Sequence, residues 1–199
     1  MIRYDCFEWL APQMTDQIVV TSLSGQRVEW GHLSKREADL NLGSMGNALA
    51  VGIGLALALP HRKVFVFESD GSVLLALFNL PTLANLNPPN MGVFIFDNQA
   101  YSGTRISYPS ATAGKTDLEA VAKASGIEHS VTVTELEDFK KEATGALNEY
   151  GLRFVVCKIE ETVGHRKITR SNVDLLETKY RFVRYLERTE GKPIFQGRG

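Results

Sequence analysis

Apolar residues along this chain fall into runs of two kinds. Short, continuous runs of Val, Ile and Phe predict strands over 18–23, 63–68, 91–96, 130–134 and 153–159. Continuous rather than alternating hydrophobicity marks strands covered on both faces, as in a parallel sheet. Longer segments between them, with apolar residues three and four apart, predict helices over 44–59, 72–85, 117–125 and 136–150. Strand and helix alternate, so the expected fold class is α/β. It is a parallel sheet flanked by helices, in one domain over 1–199 with its core at about 18–160.

The two ends read as further helices. An N-terminal amphipathic helix should gather Ile2, Cys6, Trp9 and Leu10 on one face. A last helix over about 172–188 should carry Val173, Leu176, Tyr180, Val183 and Leu186 on one stripe, with Ser171 and Asp174 as a capping pair. Segment 162–170 reads as a polar connection and 190–199 as a loose tail. The apolar run 48–60 is shorter than the roughly 20 residues that a membrane span needs. It is closed by Pro60, so it reads as a helix buried in the domain.

Composition narrows the function class. The chain is 44% apolar and 23% charged, which suits a globular core rather than disorder. A net charge of −1 with dispersed Lys and Arg argues against a nucleic-acid partner. Cys6 and Cys157 are far apart, which excludes a cysteine-bound cluster or a disulfide framework. His32, His61 and His129 show no metal-ligand spacing. The opening residues do not form a signal peptide, so a cytoplasmic protein is expected.

The candidate chemistry lies at two strand ends. One strand runs into Ser69-Asp70-Gly71-Ser72 and the next into Asp97-Asn98, with one crossover helix between them. In open parallel sheets ligands bind beyond the carboxyl ends of strands. Adjacent strands would bring Asp70 and Asn98 to one point. A carboxylate, an amide oxygen and a backbone carbonyl suit Mg²⁺, which prefers oxygen ligands and often retains phosphate oxygens. Gly71 should permit a tight turn, and Ser72 should open a helix whose free N–H groups favour a phosphate. Taken singly, Asp-Gly-Ser after a strand and Asp-Asn each read as turn or capping chemistry; the two together at neighbouring strand ends are more specific.

This joint pattern resembles the fingerprint of thiamine diphosphate-dependent enzymes, in which Gly-Asp-Gly is followed after an interval by Asn-Asn or Asp-Asn. The resemblance spans about 18–160 and is nearest to sulfopyruvate decarboxylase β subunits and to the C-terminal domain of phosphonopyruvate decarboxylases. It implies that Asp70 and Asn98 hold Mg²⁺ by their side chains and Ala100 by its carbonyl, with Tyr101 beside them. Ser72 would contact the diphosphate. Gly43-Ser44-Met45-Gly46 resembles a second family stretch. There the Gly43 carbonyl would accept a hydrogen bond from the aminopyrimidine, and Met45 would wedge the cofactor into its bent form. Met45 reads equally as a core residue. Ser22 and Ser24 occupy places that touch phosphate in relatives, though a strand followed by a polar turn has the same appearance. One departure stands out: Ser69 replaces the first Gly of the motif. A Ser follows that backbone at negative φ and is strained at positive φ.

The resemblance implies a lyase that decarboxylates a small 2-oxo acid and is incomplete alone. The activating Glu belongs to a pyrimidine-binding domain, expected here on a partner chain. Glu68 lies beside the fingerprint but has no acid–base task in the motif. Self-association is also expected. The other readings are a non-catalytic thiamine diphosphate-binding scaffold, a subunit of another thiamine enzyme, or a plain nucleotide-binding fold. The last lacks the glycine-rich loop after its first strand. Segment 101–118 should form a mobile loop over the cofactor, ending where Thr116 or Asp117 caps a helix. In it, Arg105 is either an anion ligand for substrate or a solvated loop residue. His165, Arg166 and Lys167 read as a basic surface turn or a substrate or partner contact.

Overall fold

A computed structural model describes residues 1–23, 25–102, 107–160, 168 and 174–195. The chain begins with α1 (Arg3–Leu10), β1 (Ile18–Thr21), α2 (Gly25–Leu33), β2 (Asp39–Asn41) and α3 (Ala48–Ala58). It continues through β3 (Val64–Ser69), α4 (Asp70–Leu75), α5 (Asn79–Leu86) and β4 (Met91–Asp97). A short antiparallel pair follows, β5 (Ala100–Tyr101) and β6 (Tyr108–Pro109). The last elements are α6 (Leu118–Ala124), β7 (Ser130–Val133), α7 (Leu136–Asn148), β8 (Arg153–Lys158) and α8 (Leu175–Glu190).

Six strands form one parallel sheet in the order β2-β1-β3-β4-β8-β7. Side chains alternate between its two faces and both are covered, as the continuous apolar runs require. Ile18, Val20, Val64, Val66, Val93 and Ile95 pack beneath α3, α5, α6 and α8. Val19, Phe65, Phe67, Phe94 and Phe96 face α1, α2 and α7. On that second face Phe7 sits 4.9 Å from both the Phe67 and Phe96 rings, and Phe94 lies 5.5 Å from Phe139. Each such ring contributes roughly 1.5–3 kcal/mol by leaving water.

Several elements depart from the sequence pattern. The apolar face of α1 is Cys6, Phe7 and Leu10. Trp9 is only partly buried, and Ile2 lies outside as the N-cap. The segment 72–85 is two helices, starting two residues earlier than expected. Ser69 accepts a bond from the Ser72 N–H and caps α4 at Asp70. The helix then breaks near Ala76, which packs against Gly46. The helix expected from residue 44 begins at Ala48, because Gly46 has φ +78° and turns the chain first. The pattern gave no sign of α2, β2 or the β5–β6 pair. Of the expected capping pair, Asp174 does cap α8, bonding the Leu176 N–H, whereas Ser171 lies outside the described residues. Among the described residues no helix is long and apolar enough to cross a membrane.

Candidate functional site

Strands β1, β3 and β4 are neighbours in the middle of the sheet, so their carboxyl ends bring three loops together. The β3–β4 register pairs Ser69 with Phe96, which sets Asp70 level with Asp97. Beyond these ends lies a cavity of about 270 Å³. Its walls include Met45, Ser69, Asn98, Ala100, Tyr101 and Tyr108, together with Arg3 and Gln26.

Asp70 is fully buried. Its Oδ2 accepts hydrogen bonds from Ser110 Oγ (2.5 Å) and Thr112 Oγ1 (3.1 Å). The single Thr112 hydroxyl proton is shared with Asp97 Oδ1, 2.7 Å away, and Lys158 Nζ pairs with Asp97 Oδ2. Burial pushes the Asp70 carboxyl up, the nearby Asp97 charge adds to this, and the Ser110 hydroxyl works against it. The other oxygen, Oδ1, faces the Asn98 side chain.

Asn98 completes an oxygen cluster. Its outer amide atom donates to or accepts from Ser102 Oγ at 2.9 Å, depending on which way the amide is turned. Its inner amide atom lies 2.9 Å from the Ala100 carbonyl oxygen and 3.3 Å from Asp70 Oδ1. With nitrogen inward, both contacts are hydrogen bonds. With oxygen inward, three oxygens converge, and the Ala100 N–H supports that orientation with a long bond of 3.3 Å. The residue between, Gln99, has φ +61°. That left-handed conformation turns the Ala100 carbonyl to the same side as the Asn98 side chain. Among the described residues no group of three His, Cys, Asp or Glu side chains could hold a metal. The cluster draws instead on one carboxylate, one amide and one carbonyl.

Two glycines and a serine acquire physical roles. Gly71 does not turn the chain. It lies inside α4, and a Cβ there would collide with the Tyr101 ring, so glycine admits that ring. Gly46 needs its positive φ, and its N–H donates to Ser72 Oγ at 2.7 Å. This bond ties the Met45 loop to the loop after β3. Ser69 has φ −102° and ψ 161°, so the replacement of glycine brings no strain.

The remaining expected residues divide. Met45, Ser69, Asn98, Ala100 and Tyr101 line the cavity. Ser22 and Ser72 are buried beside it. Ser22 Oγ accepts from Gln26 Nε2 at 2.6 Å. Gly43 and Ser44 lie on the exposed turn before α3, and Leu175 of α8 fills the space a Gly43 Cβ would need. Ser24, Arg105, His165, Arg166 and Lys167 lie outside the described residues. Glu68 does not line the cavity. Its Oε1 accepts the Ala48 and Leu49 N–H groups at 3.0 and 3.3 Å, capping α3. Burial raises its carboxyl, against the Ser72 and Ser22 hydroxyls.

Sequence reasoning missed Ser110, Thr112, Lys158 and Arg3. Ser110 and Thr112 sit in a stretch of small polar residues that reads as loop. Lys158 meets Asp97 only through the β4–β8 pairing, which the sequence does not state. Of segment 101–118, the described part is built into the site by these two hydroxyls, and it ends where Asp117, not Thr116, caps α6.

Residues 27–157 match the family described as thiamine pyrophosphate enzyme, C-terminal TPP binding domain. The chain is 34% identical to sulfopyruvate decarboxylase subunit beta of Methanocaldococcus jannaschii, covering 87% of this chain and 90% of that one. It is 32% identical to the subunit of the same name from Methanococcus maripaludis, covering 94% and 99%. Phosphonopyruvate decarboxylase of Streptomyces viridochromogenes is 32% identical, over 82% of this chain and 42% of its own length. The fold is similar to benzoylformate decarboxylase from Polynucleobacter necessarius, with a TM-score of 0.67 at 19% identity, over 80% of this chain and 33% of that one. The chain thus spans about a third of such solved structures and nearly all of the β subunits. With its parallel sheet and its three loops gathered at the strand ends, this chain belongs to the thiamine pyrophosphate enzymes, as their C-terminal TPP-binding domain.

Proposed function

We propose that this chain is the cofactor-binding subunit of a Mg²⁺-dependent decarboxylase that acts on a three-carbon 2-oxo acid carrying a second acidic group, sulfopyruvate or phosphonopyruvate. The observation that carries the reading is the oxygen cluster. Adjacent ligands of an octahedral Mg²⁺ at roughly 2.0–2.1 Å stand about 2.9 Å apart. The inner Asn98 amide atom is 2.9 Å from the Ala100 carbonyl and 3.3 Å from Asp70 Oδ1. Asp70 would supply the charge, and Ser110 and Thr112 would fix its second oxygen.

The diphosphate would lie in the cavity beside Ser69, with Ser72 behind it. Met45 would support the bend of the cofactor, and the Gly43 carbonyl would accept the aminopyrimidine amine. When bound, thiamine diphosphate supplies the electron sink for loss of CO₂. No carboxylate lines the cavity among the described residues, which supports an activating Glu donated by a companion chain. The relatives named subunit beta favour the same division. Leu75, beside Gly46, and Phe78, three residues on, are 64% and 73% exposed, an apolar corner suited to that companion and to self-association.

The unstrained backbone of Ser69, which stands where the motif has glycine, supports a working site over a non-catalytic scaffold. The test is co-expression with a companion domain encoded beside this chain, then size measurement and CO₂ release from sulfopyruvate, phosphonopyruvate and pyruvate. The pair should turn over one of the first two, and the chain alone should not. Full turnover by the chain alone would sink the partner-supplied acid. A stable, cofactor-loaded pair that releases no CO₂ would sink the decarboxylase reading.

A further inference from the structure

We propose that Arg3, on the N-terminal helix and outside every motif stretch, is an anion anchor of the cleft that takes the diphosphate of the bound cofactor, with Glu29 as its positioning residue. The inference rests on the cofactor reading above.

Arg3 lines the same cavity as Met45, Ser69, Asn98 and Ala100, yet the residue is only 8% exposed. Its Nε donates to Glu29 Oε2 at 2.8 Å and its Nη2 to Oε1 at 2.9 Å. This paired bond fixes the plane of the guanidinium and occupies two of its three nitrogens. Nη1 makes no hydrogen bond among the described residues, and it is not among the sealed, unpaired atoms of the interior. Its two N–H groups therefore remain unspent on a residue that lines the cavity.

The backbone is arranged around this guanidinium. A Cβ on Gly25 would collide with Arg3 Nη2, so glycine at the start of α2 lets the guanidinium lie across that helix end. The N-terminal end of a helix carries partial positive charge, which adds to the attraction for an anion. The ion pair is largely buried, with side chains 10% and 14% exposed. Burying such a pair brings little net stability, because desolvation offsets the attraction. Binding of an anion accounts for keeping it at a cleft wall. No carboxylate lines the cavity to compete for the free N–H groups. Two ligands of the oxygen cluster, Asn98 and Ala100, share the wall with Arg3, so an anion spanning them is the metal-bound diphosphate rather than a remote acid group.

The test is calorimetric titration of the full chain with Mg²⁺ plus inorganic diphosphate, with Mg²⁺ plus thiamine diphosphate, and with sulfoacetate as an unreactive substrate-like diacid. These are repeated with Arg3→Met, Arg3→Lys and Glu29→Gln, and melting curves without ligand check folding. Losing one charge-assisted bond lowers affinity by about 10- to 100-fold. Arg3→Met should lose that much for both diphosphates and nothing for sulfoacetate. Arg3→Lys should recover part of the loss by returning the charge without the fork. Glu29→Gln should weaken both diphosphates less than Arg3→Met does. If Arg3→Met fails to fold, the Arg3→Lys and Glu29→Gln titrations carry the same comparison. Unchanged diphosphate binding in folded variants overturns the anchor. A loss confined to sulfoacetate also overturns it and assigns Arg3 to substrate. A wild-type chain that binds neither diphosphate, alone or with its companion, refutes the cofactor reading and the anchor with it.

Discussion

Asp70→Asn separates the proposed ligand role of Asp70 from any structural role. The substitution keeps shape and one acceptor oxygen, so Ser110 and Thr112 retain their bonds to the Oδ2 position. The new amide nitrogen would face the Asn98 amide and the Ala100 carbonyl, where it finds acceptors. It also replaces a carboxyl that burial pushes towards its neutral form. The unliganded variant should therefore melt within a few degrees of wild type, or slightly higher. Metal binding should fail, because the cluster loses its only charged oxygen. At 100 times Kd a ligand stabilises the fold by about 2.7 kcal/mol. In a chain of this size each kcal/mol moves Tm by roughly 2–4 °C, so wild type should gain about 5–11 °C with Mg²⁺ and thiamine diphosphate. Asp70→Asn should gain less than about 1 °C under the same conditions. The assay is scanning calorimetry with both ligands, with either alone, and with chelator. A full Mg²⁺-dependent gain in Asp70→Asn would refute the ligand assignment. An unliganded Tm more than roughly 10 °C below wild type would show instead that the charge holds the fold.

The other predictions probe different layers. Met45→Ala should weaken thiamine diphosphate binding in calorimetric titration more than it lowers Tm, since Met45 is only partly buried and lines the cavity; a purely thermal defect would return it to the core. Gln99→Gly should hold or raise Tm, because φ +61° costs a residue with a Cβ about 1–2 kcal/mol, and a marked fall in Tm would show that the side chain itself is needed. Burial pushes the Cys6 thiol up to about 12 from 9.0, and Cys157 also well above it, so a thiol reagent at pH 8 should label neither in the native chain and both after urea. Asp39 is an acid whose folded pKa burial raises above 3.8, against the Arg36 charge and the Ser34 hydroxyl; the folded state then holds its proton more tightly than the unfolded one. Its contribution is therefore greatest below pH 3.8 and falls as pH rises through the folded pKa, so urea melts should show Asp39→Asn gaining on wild type across that window.

Much of the scaffold is legible because burial on both faces writes itself into continuous runs. The strands at 63–68 and 91–96 differ from β3 and β4 only by a residue or so at the ends. The meeting of Asp70 and Asn98 is equally legible, since adjacent parallel strands joined by one crossover bring their carboxyl ends together; each residue alone reads as ordinary turn chemistry, and only the joint pattern points to a site. What the pattern hides is pairing across the sheet. Thr112 matters because it bridges Asp70 and Asp97 over the strand ends, and nothing in its local sequence separates it from any loop threonine. Gly71 shows the opposite failure. Its motif position is visible, but the reason for glycine is the Tyr101 ring rather than a turn. Short elements also escape: β2 spans three residues, and α2 buries only Gln26 and Trp30 among polar and small neighbours.

The break between α4 and α5 links the chemistry to assembly. A continuous helix after Asp70 would run past the Met45 loop. Instead Ala76 folds against Gly46, and the Asn79 side chain donates to the Gly46 carbonyl at 3.3 Å. Both polar groups of Gly46 are thereby held, its N–H by Ser72 and its C=O by Asn79. These two bonds brace the Met45 loop from behind. The same break turns Leu75, Leu77 and Phe78 outward, so the fixing of the loop and the exposed apolar corner have one geometric cause. A companion that covered this corner would press on the segment that holds Met45. Cofactor affinity and companion affinity should rise together, since both would bear on the one segment that Ser72 and Asn79 brace.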